Sequence, residues 1–332
     1  MGRHRSAVWE GQTVRAYITG HGSIARRHAD NLLALAPDAE ILLQHTDRPL
    51  SGALSRASIV RSATDAIEQG IDAAIVASAT AAHPTALMPL VQAGVPMYVE
   101  KPVVADRESL DFLSASIAEH AYDAPTIVGC NLRFLPSLQA LRSDLISGRI
   151  GRVVRGLFEA GQWLPDWRPD RDYRTGYSAH ADQGGGVILD LVHEIDAARW
   201  LLGEFQTVTS DFGHRSSLDL HSEDTAGILM SRPSGPLAII SLDYVSRRPV
   251  RRYSIVGEEG TLVWSLQEKS LALHSPAGVE HIDLPDGSYD VSSTYVVAMS
   301  EFLKAVHDHK QTSQPLSEGI RSMDLALRSK GL

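Results

Sequence analysis

Short apolar runs alternate with helix-like segments along the first third of the chain. The apolar runs predict strands at residues 15–19, 41–43, 75–77, 95–99 and 127–128. The segments between them have helical spacing or a closing glycine, and they predict helices that end near Ala36, Gly94 and His120. The run at 75–77 is continuously apolar, as expected for a strand covered on both faces. Strands separated by helices predict an α/β fold with a parallel, doubly wound sheet.

A glycine-rich turn joins the first predicted strand to the first predicted helix. Gly20 permits a tight turn, Gly22 lets a pyrophosphate approach the backbone, and the small side chain of Ala25 lets the helix pack on the strand. The start of the helix adds amide donors and a partial positive charge. Alone, this spacing also fits an ordinary tight turn. The alternation of strands and helices around it favours a dinucleotide site.

The loop after the second strand carries the residues that would choose between two cofactors. Asp47 is placed to bind the ribose hydroxyls of NAD, whereas Arg48 or Thr46 could receive the 2′-phosphate of NADP. A solvated turn before Pro49 is the alternative to either role. The sequence therefore predicts NAD or NADP and leaves both open.

Lys101 follows the apolar strand at 95–99. Because the carboxyl ends of parallel strands face the ligand crevice, an ammonium group there can donate to a substrate oxygen and stabilise developing negative charge. A surface lysine after a strand is the alternative. Pro102 fixes the turn, and we predict a cis peptide bond between Lys101 and Pro102.

Three consecutive glycines at 184–186 lead into a predicted helix with three regularly spaced polar residues. Asp190, His193 and Asp196 recur every three residues, so one helix would bring them towards one side. A carboxylate near an imidazole raises its proton affinity, which suits general acid/base catalysis. A buried histidine satisfied by an acid is the alternative. Position 197 is alanine, which excludes the zinc-protease pattern, and no metal is predicted.

Composition and charge narrow the class of protein. The 332 residues are enough for two domains, and 43% apolar with 21% charged residues indicates a globular protein. A net charge of −9 argues against nucleic acid as a partner. The single cysteine, Cys130, excludes an intrachain disulfide and favours a reducing, cytoplasmic compartment. Residues 1–13 lack the apolar core of a secretory leader, so no secretory signal is expected. Prolines interrupt the apolar stretch at 73–99, so this stretch is not expected to span a membrane.

Taken in order, five segments resemble the glucose–fructose oxidoreductase / inositol dehydrogenase / MocA family of NAD(P)-dependent oxidoreductases. They are GHGSIARRH at 20–28, IVASATAAH at 75–83, GVPMYVEKP at 94–102, NLRFLP at 131–136 and GGGVILDLVHEID at 184–196. The resemblance implies a Rossmann NAD(P)-binding domain, which we place at residues 1–126. It also implies an α+β substrate and oligomerisation domain with an open, mainly antiparallel sheet, which we place at 127–316. We expect residues 317–332 to form a C-terminal helix that packs back near the first domain.

The second half of the chain contains the β-rich runs that a mainly antiparallel sheet requires. β-rich runs lie at residues 153–158, 207–212, 227–230, 237–244, 253–256 and 261–264. Helical segments bracket them at 136–147 and 295–308.

The resemblance also implies roles for individual residues. Lys101 would orient the substrate hydroxyl and contact the cofactor, and His193 would accept the hydroxyl proton. Two residues separate Asp190 from His193 where many family members have three, which weakens the catalytic role expected of Asp190.

The resemblance also implies which residues bind the cofactor. The pyrophosphate would lie on Gly20, Gly22, Ser23 and Ile24, and the nicotinamide half along Ala79, Thr80, His83 and Glu100. Candidate substrate-binding residues, for which structural hydrogen bonds are the alternative, are Asn131, Arg133, Arg168, Tyr173 and Tyr244.

The implied activity is reversible hydride transfer between nicotinamide and a secondary alcohol or ketone of a sugar, inositol or nucleotide-sugar-like substrate. The family also implies a homo-oligomer, a dimer or a tetramer. Two other activities stay open at this stage: an NAD-dependent glycosidase on the same fold, and a non-catalytic nucleotide-sensing regulator.

Overall fold

The computed structural model describes residues 13–332 and divides into two compact units. The first unit runs up to Asn131 and includes Ser292–Arg321, and the second comprises Leu132–Val291 and Ser322–Leu332. Part of the segment that we placed in the second domain, including the predicted helix at 295–308, thus groups with the first unit. We expect no secretory leader in residues 1–13. Of these residues, all but Thr13 lie outside the described part of the chain. Within residues 13–332, no helix is both long and apolar enough to cross a membrane.

The first unit contains a six-stranded sheet in which every neighbouring pair is parallel. Its strands are β1 (Arg15–Thr19), β2 (Glu40–Gln44), β3 (Ser58–Val60), β4 (Ala73–Val76), β5 (Met97–Val99) and β6 (Thr126–Val128). Their order in the sheet is β3-β2-β1-β4-β5-β6. The connections reverse direction between β1 and β4, and a crevice for a ligand forms at the carboxyl ends of the strands at such a point. The predicted doubly wound sheet is confirmed.

The helices between these strands are α1 (Ser23–Leu35), α2 (Ala63–Glu68), α3 (His83–Gln92) and α4 (Arg107–Glu119). Two of them begin with side-chain caps: Ser62 accepts from the Asp65 amide at 3.1 Å, and Asp106 from the Ser109 amide at 2.7 Å. Such a cap satisfies one of the free amides of the first turn. In contrast, α1 is preceded by Gly22, which provides no side-chain cap, so the first amides of the helix are left for another acceptor.

The second unit is built on an eight-stranded sheet and helices. In chain order its elements are α5 (Pro136–Ile146), β7 (Val153–Gly161), α6 (Val187–Asp190), α7 (Val192–Leu202), β8 (Thr207–Gly213), β9 (Thr225–Ser231), β10 (Leu237–Asp243), β11 (Val250–Gly257), β12 (Thr261–Ser265), β13 (Ser270–Ser275) and β14 (Gly278–His281). The sheet order is β14-β13-β12-β11-β7-β10-β9-β8. Only the pair β7 and β10 is parallel, so the predicted open, mainly antiparallel sheet is confirmed.

The core of the second unit lies between its helices and one face of this sheet. The ring of Tyr253 lies 4.9 Å from that of Phe158 and 4.8 Å from that of Trp264, and all three side chains are fully buried. The Trp264 indole donates to Ser137 Oγ at 3.0 Å, which ties α5 to the sheet. Helix α7 is held by Glu194, whose carboxylate accepts from the Tyr253 hydroxyl at 3.1 Å.

Two helices near the end of the chain complete the molecule, α8 (Val291–Asp308) and α9 (Leu316–Ser329). The segment between them, residues 311–314, covers the exposed edge of β6 within the first unit. Val128 donates its amide to the Gln314 carbonyl at 3.0 Å, and Thr312 Oγ1 donates to the Thr126 carbonyl at 2.5 Å. The division between the units falls within α9, after Arg321.

Candidate active site

The turn after β1 requires glycine at its first position. Gly20 has φ +80°, and a Cβ there would lie 2.5 Å from the carbonyl oxygen of Ala77. Thr19 Oγ1 accepts from the amides of Ala77 at 2.9 Å and Ser78 at 3.2 Å, which fixes the end of β1 against the end of β4. The turn is therefore built across the point where the sheet reverses direction.

The start of α1 has room for a phosphate. Gly22 is the residue before the helix, and a Cβ at this position would meet no atom within 4 Å. Ser23 and Ile24 form the first turn, where amides point away from the helix and attract anions. Ala25 is fully buried, as close packing of helix on strand requires. The local geometry thus fits the diphosphate of a dinucleotide.

The loop after β2 carries both an acid and bases. Asp47 is exposed and lies 3.9 Å from the His45 ring, and Arg48 donates its amide to Thr46 Oγ1 at 3.2 Å. Burial, and then the positive charges of Arg48 and Arg26, lower the pKa of His21, which lies between the two glycines of the turn. Because both chemistries are present beside the turn, the cofactor prediction remains NAD or NADP.

The segment after β4 is held to the loop after β5 by a buried histidine. Ala79 precedes a short turn that contains the buried Thr80, and α3 then begins at His83. The His83 ring nitrogens lie 3.0 Å from the Val103 carbonyl oxygen and 3.1 Å from that of Ser78. Burial lowers the pKa of His83, so the ring is neutral at pH 7 and donates one proton to one of the two carbonyls. Contact of these residues with nicotinamide stays a prediction.

Glu100 and Lys101 follow β5. The Glu100 carboxylate is buried, and its two oxygens lie 2.7 Å from His28 Nε2 and 3.2 Å from the Lys101 amide, which donates to it. The Lys101–Pro102 peptide bond is cis, as predicted. The roles of Glu100 and Lys101 toward cofactor and substrate stay predictions.

The predicted histidine helix of the second unit is interrupted. Asp190 is the last residue of α6 and His193 is the second of α7, with Leu191 at φ −102° and ψ 33° between the two helices. The expectation of one continuous helix was therefore wrong. Both residues are buried, with 9% of His193 exposed. The catalytic roles of Asp190 and His193 stay predictions.

Two tyrosine hydroxyl groups contact the Asp190 carboxylate. The Tyr244 hydroxyl donates to Asp190 Oδ2 at 2.7 Å, and Tyr177 also forms a side-chain hydrogen bond with Asp190. Burial, followed by the Asp190 charge, raises the pKa of both tyrosines well above its usual value. Tyr244 is fully buried, so its hydroxyl serves Asp190; contact of Tyr244 with substrate stays a prediction. Sequence reasoning missed Tyr177, which begins a short 3-10 helix, Tyr177–Ala179, that no motif marks.

Asp196 anchors α7 through a buried ion pair. Arg133 donates to both oxygens of Asp196, at 2.8 and 2.6 Å, and Ser322 Oγ donates at 2.7 Å. The Arg133 guanidinium is thus held inside the second unit, and its binding of substrate stays a prediction.

The other candidate substrate-binding residues differ in exposure. Asn131 is buried in the first unit and donates to Thr294 Oγ1 at 2.7 Å. The Tyr173 hydroxyl accepts from the Asp219 amide at 3.0 Å in the second unit. Arg168 is exposed, and its charge lowers the pKa of Tyr177, against the larger effect of burial.

The glycine segment before α6 packs against Glu223, whose carboxylate binds Lys330 near the end of the chain. Gly186 has φ +113°, and a Cβ there would lie 2.4 Å from the carboxylate of Glu223. Lys330 Nζ lies 2.8 and 2.9 Å from the two oxygens of that carboxylate. Among residues 13–332, no cluster of His, Cys, Asp or Glu is arranged to hold a metal ion.

Comparison with known proteins gives the same two halves. A family model described as an oxidoreductase family with an NAD-binding Rossmann fold matches residues 14–122, and the GFO/IDH/MocA C-terminal domain matches residues 138–263. The chain belongs to the GFO/IDH/MocA family of oxidoreductases. This confirms the predicted family and the two-part fold.

Relatives of this GFO/IDH/MocA protein include enzymes with named substrates. Myo-inositol dehydrogenase Hyg17 of Streptomyces leeuwenhoekii is 28% identical over 74% of each chain. Inositol 2-dehydrogenase of Rhizobium meliloti is 25% identical over 95% of each chain. Among solved structures, an oxidoreductase from Agrobacterium radiobacter in complex with NAD+, L-tartaric acid and magnesium has a TM-score of 0.80 at 20% identity, covering 96% of this chain and 97% of that one.

Proposed function

We propose that this protein is an NAD(P)-dependent dehydrogenase that acts on a secondary alcohol, or in reverse a ketone, of a sugar, inositol or nucleotide-sugar-like substrate. The observation that carries the proposal is the turn after β1, where Gly20 makes the tight bend and the space over Gly22 leaves the first amides of α1 accessible to a diphosphate. The dehydrogenase names of the relatives support the reaction type and the polyol class of substrate.

The residues would divide the work as follows. Gly20, Gly22, Ser23 and Ile24 would hold the diphosphate, and the bound nicotinamide would supply the hydride chemistry. The Lys101 ammonium would donate a hydrogen bond to the substrate oxygen and stabilise negative charge on it. The His193 imidazole would take the hydroxyl proton during oxidation and return it during reduction.

A substrate screen with both cofactors tests this function. Sugars, inositols and nucleotide sugars are offered with NAD or NADP, and the absorbance of the reduced nicotinamide is followed. Growth of that absorbance with at least one polyol is the expected result. Release of sugar from a glycoside without net reduced cofactor would instead indicate the glycosidase. Tight cofactor binding with no turnover of any substrate would indicate the regulator.

The same assay reads cofactor preference through two variants. Arg48→Ala should lower the kcat/KM ratio of NADP to NAD, because a 2′-phosphate would lose a cation. Asp47→Ala should raise that ratio, because a carboxylate repels the phosphate and binds the ribose hydroxyls of NAD. Equal ratios in both variants and the wild type would mean that another part of the site selects the cofactor.

We propose a homodimer or homotetramer in which a second copy covers the outer face of the eight-stranded sheet. The register places a row of side chains across five strands on this face: Leu229, Ile239, Leu157, Ser254 and Val263. Leu229 is 46% exposed in the single chain. Four of these five side chains are apolar, and apolar side chains that line one face of a sheet are stabilised by burial against another surface. Leu229→Asp should shift the mass measured by light scattering towards the monomer.

The remaining partner and compartment proposals rest on composition. A net charge of −9 supports a protein that binds small molecules and not nucleic acid. The one cysteine, Cys130, is buried and cannot form an intrachain disulfide, which supports a cytoplasmic location.

A further inference from the structure

We propose that His28 is a positioning residue that fixes Lys101 through the carboxylate of Glu100. The proposal rests on the proposed dehydrogenase function, in which Lys101 contacts the substrate oxygen. All residues that carry the argument belong to the first unit.

The link consists of two hydrogen bonds to one buried carboxylate. His28, on α1, lies with Nε2 2.7 Å from Glu100 Oε1, and its side chain is completely buried. The other oxygen, Oε2, accepts the backbone amide of Lys101 at 3.2 Å. Hydrogen bonds to a charged group are shorter and stronger than neutral ones, and buried polar groups left without a partner are costly. The position of the carboxylate is therefore set by His28, and the carboxylate in turn sets the main chain at Lys101.

The surroundings of the pair leave the carboxylate little freedom. A Cβ at Gly129 would lie 2.7 Å from Glu100 Oε2, so the carboxylate packs directly against the backbone after β6. On the other side, the His28 ring lies 4.4 Å from the ring of Tyr98 and 6.2 Å from that of Tyr295. The two tyrosine rings pack beside the imidazole, and among residues 13–332 its side-chain hydrogen bond is the one to Glu100.

The same helix serves the cofactor and the catalytic lysine. Helix α1 opens with the amides that would bind the diphosphate, and it carries His28 one and a half turns later. His28 thus connects the diphosphate-binding helix to the loop of Lys101, although 72 positions separate His28 from Glu100. His28 therefore aligns Lys101 and does not set the affinity for the cofactor.

The test compares two substitutions at His28. His28→Leu keeps a similar volume but removes the donor, whereas His28→Gln retains an N–H that can reach Glu100. We expect His28→Leu to lower kcat about 10- to 100-fold, with the dissociation constant for NADH changed less than about threefold. His28→Gln should recover most of kcat. His281→Leu, at the exposed strand β14, is the matched control and should behave as the wild type.

A second readout does not depend on activity. The Lys101 amide should exchange with deuterium faster in His28→Leu than in the wild type, because its acceptor is released, and thermal unfolding checks that the variant is folded. Gly129→Ala should give the same change by pushing the carboxylate from the other side, while Gly213→Ala, where a Cβ meets no atom within 4 Å, should not.

The outcomes separate this inference from the proposed function. Unchanged kcat and unchanged Lys101 exchange in His28→Leu would overturn the positioning role, as would a loss of NADH affinity equal to the loss of kcat. Equal damage in the Leu and Gln variants would also overturn it. If the Lys101 amide exchanges faster in His28→Leu than in the wild type, but the wild type shows no dehydrogenase activity on any substrate, the link is sustained and the proposed function is rejected.

Discussion

Tyr244 donates a 2.7 Å hydrogen bond to Asp190, and both side chains are buried in the second unit. Tyr244 directly follows β10 and Asp190 ends α6, so the bond joins the sheet to the helix pair that carries His193. Tyr177 adds a second hydrogen bond to the same carboxylate. Asp190 is thus held by two phenols at the break between α6 and α7.

Removal of the Tyr244 hydroxyl should destabilise the fold. Tyr244→Phe leaves the buried Asp190 carboxylate with one donor fewer, and we expect the free energy of unfolding to fall by about 1–3 kcal/mol. Urea denaturation followed by circular dichroism measures it. Tyr173→Phe, which removes an acceptor of the exposed Asp219 amide, is the matched control and should change stability by less than about 0.5 kcal/mol. Equal stability of the two variants would contradict the bracing role of Tyr244.

Loss of the imidazole at position 193 should affect turnover and not cofactor binding. His193→Ala removes the proposed proton acceptor, which is typically worth about 10²–10⁴ in rate. Steady-state kinetics gives kcat, and fluorescence titration with NADH gives the affinity. Normal turnover in a folded His193→Ala variant would mean that another group moves the proton.

The two glycines of the turn after β1 should respond differently to alanine. Gly20→Ala places a Cβ 2.5 Å from the Ala77 carbonyl oxygen at a φ of +80°, so it should lower the melting temperature. Gly22→Ala meets no atom within 4 Å, so it should fold with an unchanged melting temperature but bind NADH more weakly, because the methyl group takes the space of the diphosphate. Wild-type affinity in Gly22→Ala would place the diphosphate elsewhere.

Stability should depend on pH through His83. Burial lowers the pKa of His83 from its usual value of 6.5, so the unfolded chain binds more protons between the folded-state value and 6.5. The contribution of His83 to stability is therefore full above pH 6.5 and is lost as the pH falls below it, with a slope of up to about 1.4 kcal/mol per pH unit. Urea denaturation on both sides of pH 6.5 should show a flatter dependence for His83→Gln than for the wild type. Identical dependences would exclude His83 as the source.

Local patterns explain which parts of the fold the sequence predicts. Strand β1 was predicted with its observed bounds, because four apolar or β-favouring residues follow Arg15 and the run ends at a glycine. Strand β14 was not predicted, since all four of its residues are exposed and no alternation marks it. The break at Leu191 was missed because no glycine or proline marks it, so helical spacing alone predicted one helix.

In the candidate site, too, local features are predicted from the sequence and long-range contacts are not. The glycine turn is a local feature of six residues, and its geometry follows from the sequence. In contrast, His28 meets Glu100 across 72 positions and Lys330 meets Glu223 across 107. Single-sequence patterns carry no signal for such pairs, because only the folded topology brings them together.

The pairing of residues 311–314 with β6 has a consequence for how the protein is made. The Gln314 side chain donates to the Val128 carbonyl at 2.7 Å, although 186 positions separate them. During synthesis, the edge of β6 therefore stays unpaired until residues 311–314 have been translated. The first unit cannot complete its fold before then, so the order of folding differs from the order of synthesis. A fragment that ends at residue 131 should aggregate through the unpaired edge of β6. A fragment that joins residues 13–131 to residues 292–321 keeps this edge covered.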